Sequence, residues 1–268
     1  MHRLYKRGSM VLATTACLTF GAGAQAQEAP PGLELDEIIV TARKVEERLQ
    51  EVPLSIRVLG EDTIAREGIA RLEDVARLVP GVTFDIGAFP NDTRPAIRGM
   101  QAERGRPSVA VLLDGQDVSG ENLYIAGGSS SLNTRLLDLE RIEVVKGPQS
   151  VLYGRSAFAG AINYISKRPD LDAWNGRVQA EVANGATRGV NASLSGPIIT
   201  DKLAVRFNVA SNQRDGFYQN SLTGENLGAE ESLGGAVSVL FKPTENLSFL
   251  ARYQYADDEF SQAAAAYI

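Results

Sequence analysis

The sequence has almost no cysteine or histidine: it contains one of each, Cys17 and His2, and both lie within the first 26 residues. Once that segment is removed, as argued below, the remaining chain has neither a thiol nor an imidazole. Disulfides, cysteine nucleophiles, histidine general bases and metal sites built from these two residues are then excluded. We therefore expect no enzymatic activity, no catalytic residue, no metal site and no cofactor.

The sequence also lacks an excess of positive charge. Its 27 lysine and arginine residues stand against 33 aspartate and glutamate residues, which gives a formal net charge of −6. Proteins that bind nucleic acid usually carry a basic surface that neutralises phosphates, so we expect no nucleic-acid partner. A content of 44% hydrophobic and 22% charged residues is nevertheless typical of a folded protein.

Sequence signatures of catalytic sites are missing as well. Gly154–Phe158 (GRSAF) lacks the second glycine of a nucleophile elbow. Neither a phosphate-binding loop nor a dinucleotide-binding fingerprint occurs. We interpret the acidic pairs Asp114 with Asp117 and Glu140 with Glu143 as charges at turns and strand edges.

The N-terminal apolar run is too short for a membrane-spanning helix, which requires about 20 residues. This run, Met10–Phe20, follows three basic residues and precedes Ala24–Ala26, whose small-x-small pattern fits a cleavage site. A basic start, a short apolar centre and a small-residue exit are typical of a secretory signal peptide. We therefore predict a signal peptide over residues 1–26.

Three regions follow in the mature chain. Residues 27–51 are rich in charge and predict a flexible N-terminal segment. Residues 52–170 predict a mixed α/β domain: Leu54–Val58 alternates as a strand does, Val109–Leu113 is a compact apolar strand, and apolar residues between 64 and 79 recur at helical spacing. Residues 171–268 predict a different architecture.

In this last region apolar and polar residues alternate strictly. Leu203, Val205, Phe207 and Val209, for example, would share one face of a strand. A soluble β-sandwich would give the same period, but its strands are usually about 5–6 residues long. Strands of about 9–11 residues with one polar face are typical of a transmembrane barrel. We predict the start of an antiparallel transmembrane β-barrel, with a sandwich as the alternative.

Short motifs occur in a characteristic order through the mixed α/β region: Val52–Ile56, Leu78–Val82, Ile97–Gly99, Leu113–Gly115, Glu140–Pro148, Tyr153–Gly154, Gly160–Asn163 and Ser166–Pro169. In this order they resemble the plug domain of a TonB-dependent outer-membrane receptor, and the whole chain resembles the N-terminal part of such a receptor. The resemblance implies a plug over residues 52–170 inside a barrel of about 22 strands, of which roughly five would be present here.

A β-branched run lies just inside the predicted mature N-terminus: Asp36, Glu37, Ile38, Ile39, Val40, Thr41 and Ala42. It resembles the TonB box of that family, which implies binding to TonB and to its inner-membrane motor complex. A short β-prone segment suits strand addition, because backbone hydrogen bonds bind while alternate side chains specify. The alternative is that residues 35–42 form the first strand of the plug.

The resemblance also implies a lock between plug and barrel. Arg98, Arg141 and Glu143 match the plug positions that, in the family, belong to a polar cluster facing carboxylates on the inner barrel wall. Arginine suits such a cluster because its planar fork stays charged and pairs bidentately. The alternative for each arginine is an ordinary surface ion pair, which contributes only about 0–1 kcal/mol.

Ligand would contact loops on the extracellular side of the plug, which by position are residues 85–92, 100–106 and 118–131. The contact candidates within these loops are Phe89, Gln101, Arg104 and Tyr124. The outer loops of the barrel would share this task.

The resemblance implies energy-coupled uptake of a scarce nutrient across the outer membrane of a Gram-negative cell, with membrane lipid around the barrel. An iron–siderophore complex is the expected substrate; vitamin B12 and oligosaccharides are the alternatives. A free-standing periplasmic plug-like binding module is the alternative from another class, but it would not need the hairpins that follow residue 170.

The length suits the plug better than it suits the barrel. About five strands cannot close a barrel, and an open sheet edge facing lipid would leave backbone groups without hydrogen bonds. We therefore expect the sequence to be an N-terminal fragment, whether a truncated gene, a partial assembly or a shortened recombinant chain.

Overall fold

The computed structural model describes residues 38–41, 44–45, 47–86, 93–101, 107–119, 137–184, 186–216, 218–220, 223–224 and 226–261. The predicted signal peptide lies outside the described residues, as do Asp36, Glu37 and Ala42 of the predicted TonB box. The ligand-contact candidates Phe89, Arg104 and Tyr124 lie outside them too. In the part of the chain that is described, no helix has the length and apolar character needed to cross a membrane.

The first part of the chain is mixed α/β. A short 3-10 helix, Leu49–Glu51, follows its second strand. The strands and α-helices are β1 (Ile39–Val40), β2 (Glu47–Arg48), β3 (Ser55–Gly60), α1 (Glu61–Arg66), α2 (Leu72–Leu78), β4 (Val82–Ile86), β5 (Thr93–Ile97), β6 (Val109–Leu113), β7 (Gln116–Asp117), β8 (Leu139–Lys146), α3 (Ser150–Tyr153) and β9 (Gly160–Ser166).

The plug is built on a five-stranded sheet with the order β3-β8-β9-β6-β7. β6 and β9 run parallel, and the other neighbours are antiparallel. All seven residues of β9 are buried, and four consecutive residues of β8 are buried, because both faces of these strands are covered. Two separate two-stranded sheets, β1-β2 and β4-β5, also occur in this first part of the chain.

The main core of the plug lies between the sheet and the first two helices. Leu72 and Val75 of α2 pack in one buried cluster with Ile142, Val144 and Ile162 of the central strands. α2 begins where the Asp74 carboxylate accepts hydrogen bonds from the N–H groups of Ala70 and Arg71, each at 2.9 Å. This contact satisfies donors that the first turn of a helix leaves without an intrahelical partner.

The second part of the chain is a single antiparallel sheet of long strands. These strands contain 9, 13, 12, 15 and 14 residues, and their order is β10-β11-β12-β15-β16. A small hairpin lies in the connection between the third and fourth of them. The strands are β10 (Asn175–Ala183), β11 (Thr187–Ile199), β12 (Leu203–Arg214), β13 (Tyr218–Gln219), β14 (Asn226–Leu227), β15 (Glu230–Thr244) and β16 (Leu247–Phe260).

The two faces of the long sheet differ in the way that a membrane barrel requires. On β12, Arg206 and Asn208 are buried on the face toward the plug, whereas Phe207 and Val209 are 46% and 52% exposed on the opposite face. Exposed apolar side chains outside and polar side chains inside are the pattern of a transmembrane barrel with a wet lumen. The predicted fold class, an α/β plug followed by the start of an antiparallel barrel, is confirmed.

Local predictions also agree with the structure. Two short helices, α1 and α2, lie where helical spacing was found between residues 64 and 79, and β6 spans the predicted Val109–Leu113. Residues 27–51, predicted to be flexible, contain β1 and β2 in their described part. These two-residue strands are too short to produce a detectable period in the sequence.

Candidate functional site

The described part of the predicted TonB box, residues 38–41, contains the two-residue strand β1. β1 pairs antiparallel with β2, and the N–H of Leu49 donates to the carbonyl of Ile38 at 2.9 Å. Ile38 and Ile39 are 47% and 38% exposed, while Val40 is 1% exposed. The strand therefore offers an apolar surface while its last valine is held in the protein.

Thr41, directly after β1, is bound to the plug sheet. Its N–H donates to Oε1 and Oε2 of Glu143 at 3.0 and 3.1 Å, and its hydroxyl lies 3.3 Å from each oxygen. Its carbonyl accepts a hydrogen bond from the Tyr153 hydroxyl at 3.3 Å. The Lys44 ammonium lies 5.6 Å from the centre of the Tyr153 ring, a cation–π distance.

Glu143 is a fully buried carboxylate in the middle of β8. Arg141 donates from Nε to its Oε1 at 2.8 Å, and also contacts Glu140. Burying a charge is costly unless it is paired and hydrogen-bonded, and here the donors of Thr41 and Arg141 meet that need. The arrangement also raises the pKa of Tyr153 to about 12, first because burial disfavours the phenolate and then because Glu143 is negatively charged.

The predicted plug–barrel lock is therefore partly assembled within the plug itself. Arg141 and Glu143 lie together on one strand, and Arg141 pairs with two carboxylates of that same strand. Arg98 is exposed in the turn after β5, with a φ of 55°. Its Nη1 atom comes within 3.8 Å of the place that a Cβ on Gly147 would occupy, at the end of β8. Contact of Arg98, Arg141 and Glu143 with the inner barrel wall remains a prediction.

Among the described residues, two buried ion pairs join the plug to the barrel strands, and neither is apparent from the sequence. The guanidinium of Arg206 on β12 donates from Nε and Nη2 to the two carboxylate oxygens of Asp138, each at 2.6 Å. Arg71, at the start of α2, pairs with Glu230 on β15 and lies 5.0 Å from the ring centre of Phe260. The sequence feature that could have indicated these pairs is a charged residue on the polar face of a barrel strand, because such a residue requires a partner once it is buried.

A cavity lined by both polar and apolar side chains lies between the first helix of the plug and the barrel strands. Its volume is about 520 Å³, and inward-facing side chains of β10, β11 and β12 form one side. At its edge Glu61 of α1 pairs with Lys167 at 2.6 Å and with Arg177 of β10. Burial opposes ionisation of Glu61, but these two cations together hold its pKa below the usual value.

Of the four predicted ligand-contact residues, Gln101 is the one that lies among the described residues. Gln101 is exposed directly after Met100, whose carbonyl accepts a hydrogen bond from the Ser108 hydroxyl at 2.8 Å. Its role in ligand contact remains a prediction. Among the described residues, no group of three or more acidic, histidine or cysteine side chains is arranged to hold a metal ion.

Comparison with known proteins identifies the first domain. Residues 48–161 match the TonB-dependent receptor plug domain family. Over 215 residues the chain is 31% identical to the iron-regulated outer membrane virulence protein of Vibrio cholerae, covering 76% of this chain and 31% of the relative. Over 241 residues it is 29% identical to the ferric enterobactin receptor PirA of Pseudomonas aeruginosa, covering 84% and 31%.

Solved receptor structures share the fold. The ferric yersiniabactin uptake receptor FyuA from Yersinia pestis superposes with a TM-score of 0.65 at 24% identity, over 76% of this chain and 32% of that one. The ferric-catecholate import receptor Fiu from Escherichia coli gives 0.62 at 25% identity, over 80% and 28%. The chain thus spans about a third of the length of the curated relatives it matches. Residues 48–161 thus belong to the TonB-dependent receptor plug domain family, and five long antiparallel strands follow them.

Proposed function

We propose that this chain forms the energy-coupling plug of an outer-membrane receptor that takes up an iron–siderophore complex through TonB. The observation that carries the proposal is strand β1, because it lies at the edge of a two-stranded sheet and exposes Ile39, with Ile38 exposed directly before it. An edge strand has backbone groups available for pairing with another chain, which is how strand addition works. The inner-membrane motor complex would supply force through this contact.

The substrate class is proposed from the relatives. Receptors named for ferric enterobactin occur among the relatives in Pseudomonas aeruginosa and Escherichia coli. Vitamin B12 is the second candidate, because the vitamin B12 transporter BtuB of Vibrio vulnificus is 32% identical over 162 residues. Direct binding of ferric catecholate siderophores and of cobalamin to the receptor would separate the two.

The location follows from the same reasoning. The relatives are outer-membrane receptors, and the apolar outer face of β10–β16 suits contact with lipid. We propose that residues 1–26 direct export and are then removed, so that residues 36–42 reach the periplasmic side of the outer membrane.

The experiment that tests the proposal replaces Ile39 with proline in a full-length receptor carrying this chain. Proline cannot donate a ladder hydrogen bond, so Ile39→Pro should abolish uptake of labelled ferric siderophore while surface binding persists. Ile39→Val, which keeps the N–H, is the matched control and should retain uptake. Continued uptake by Ile39→Pro would refute the TonB box at this position, and loss of binding in that variant would show that the strand serves the fold instead.

A further inference from the structure

The hydrogen bonds around Thr41 leave its main chain fully engaged. The N–H is bound by Glu143, and the carbonyl accepts from the Lys44 N–H at 2.8 Å as well as from the Tyr153 hydroxyl. A strand that binds by addition must offer free N–H and C=O groups. At Thr41 these groups become available only after the contacts with the plug have broken.

The carboxylate of Glu143 is the centre of this arrangement. It lies on β8, whose neighbours in the sheet are β3 and β9, and it is 102 residues away from Thr41 in the sequence. Hydrogen bonds from N–H groups to a carboxylate are about twice as strong as those between neutral groups. Glu143 receives two such contacts from the Thr41 N–H and one from Arg141 Nε at 2.8 Å.

Neighbouring residues show that this contact is specific. Glu140, three residues earlier on the same strand, also pairs with Arg141, but Thr41 donates to Glu143. The side chain of Glu140 is 44% exposed, whereas that of Glu143 is fully buried. Glu143 therefore has a structural task that its neighbour lacks.

We infer that Glu143 is a positioning residue that keeps the TonB box bound to the plug through the Thr41 N–H. Tyr153 assists it by donating a hydrogen bond to the Thr41 carbonyl. The inference rests on the proposed function, and it assigns to Glu143 a task separate from a lock against the barrel wall. Val40 is buried, and Thr41 directly after it is bound to Glu143. Loss of that contact frees the end of the box, so that TonB can pair with it.

Labelling of a single introduced cysteine can test the inference, because residues 27–268 contain no cysteine of their own. In a full-length receptor made free of other cysteines, Val40→Cys should react slowly with a maleimide when no siderophore is present, because Val40 is 1% exposed. Adding Glu143→Gln should increase the labelling rate on the order of tenfold, because one carboxylate oxygen becomes an amide group that cannot accept from Thr41. Glu140→Gln is the matched control and should leave the labelling rate unchanged.

A second variant addresses loss of folding. Tyr153→Phe removes the hydroxyl bound to the Thr41 carbonyl and leaves the plug sheet intact, so it should raise the labelling rate by a smaller factor. Siderophore binding shows that each variant is folded. If Glu143→Gln does not bind siderophore, the labelling rate of Tyr153→Phe tests the inference instead. Equal labelling in the parent, Glu143→Gln and Tyr153→Phe proteins would overturn the inference.

The labelling rate does not depend on TonB, so failure of this inference can be distinguished from failure of the proposed function. The second measurement is disulfide trapping of Val40→Cys by a cysteine-bearing periplasmic domain of TonB. With the Glu143→Gln change, trapping should no longer require siderophore. Absence of trapping in every protein, with or without siderophore, would count against the proposed function while the labelling result still stood.

Discussion

Asp138 of the plug and Arg206 of β12 form a bidentate ion pair, with both N···O distances at 2.6 Å and both side chains at most 8% exposed. Asp138 has a φ of 55°, so the chain turns sharply just before β8 and directs this carboxylate at the barrel wall. Aspartate and asparagine are among the few residues that adopt this left-handed conformation readily.

Replacing Asp138 with asparagine should therefore destabilise the folded receptor. Asparagine tolerates the turn, so the change removes the charge and leaves Arg206 buried without a counter-ion. Breaking one side of a buried pair costs about 3–5 kcal/mol. The free energy of unfolding in detergent, measured with guanidinium chloride, checks this value.

An exposed pair provides the control for that prediction. Arg66 and Glu67 lie 3.5 Å apart, with side chains 68% and 43% exposed. Surface pairs contribute about 0–1 kcal/mol, so Arg66→Gln should change stability little. Similar losses for Arg66→Gln and Asp138→Asn would contradict the claim that burial makes the Asp138–Arg206 pair important.

The ion pair between Arg71 and Glu230 should tolerate substitution better than the Asp138–Arg206 pair does. Glu230 binds Arg71 and is also 3.2 Å from Arg214, so it keeps a cation when Arg71 is replaced. We expect Arg71→Gln to cost about 1–3 kcal/mol, in the range for a lost hydrogen bond to a charged group. A double-mutant cycle with Phe260→Leu should give a coupling energy of about 0.5–2 kcal/mol from the cation–π contact. Strictly additive effects would rule that contact out.

We predict that Tyr153 makes the stability of the folded protein depend on pH in the alkaline range. Its pKa is raised from 10.0 to about 12 by burial and by the Glu143 charge, so the folded protein holds the phenolic proton more tightly than the unfolded chain does. The resulting stability is fully present below pH 10 and is lost as the pH rises toward 12. Ultraviolet titration of phenolate, with Tyr153→Phe subtracted, should show the late transition.

The same titration tests the cause of the shift. Glu143→Gln removes the negative charge next to the phenol, so the difference titration should move to lower pH while remaining above 10.0 because burial persists. An unchanged midpoint would mean that Glu143 does not act on Tyr153.

Gly160, the first residue of β9, should not tolerate a side chain. A Cβ there would lie 2.3 Å from the carbonyl oxygen of Val145 and 2.7 Å from Cδ1 of Ile97. Gly160→Ala should therefore separate β8 from β9 and cost about 1–3 kcal/mol, as overpacked cores do. At Gly176 on β10 the nearest atom would be 3.4 Å away, so Gly176→Ala should change stability by no more than about 0.5 kcal/mol. Thermal melting of both variants makes the comparison.

The sequence was informative where patterns are long. Alternation over residues 203–209 predicted a strand with an apolar outer face, and β12 has that face. Helical spacing around Leu72 and Val75 predicted α2, since apolar residues three apart share one side of a helix.

The site contacts were not predictable, because they join distant parts of the chain. Asp138 meets Arg206 across 68 residues, and Thr41 meets Glu143 across 102. No local period encodes such pairings, which depend on the register of the folded sheets. The motif resemblance selected Arg141 and Glu143 for a cluster that faces the barrel wall, and this contact stays a prediction. The contacts of Glu143 with Arg141 and Thr41 are the ones seen here.

The order of strands in the plug sheet makes its disassembly directional. β3 lies at an edge and pairs with β8, whereas β9 lies between β8 and β6 and is connected to β10 by residues 167–174. Of the strands of this sheet, β3 is the nearest to the N-terminus, and it can separate after breaking one ladder of hydrogen bonds. β9 would have to break two ladders, and its short covalent connection to β10 keeps it beside the barrel. Under the proposed coupling, β3 would therefore leave the sheet while β9 stays beside the barrel strands.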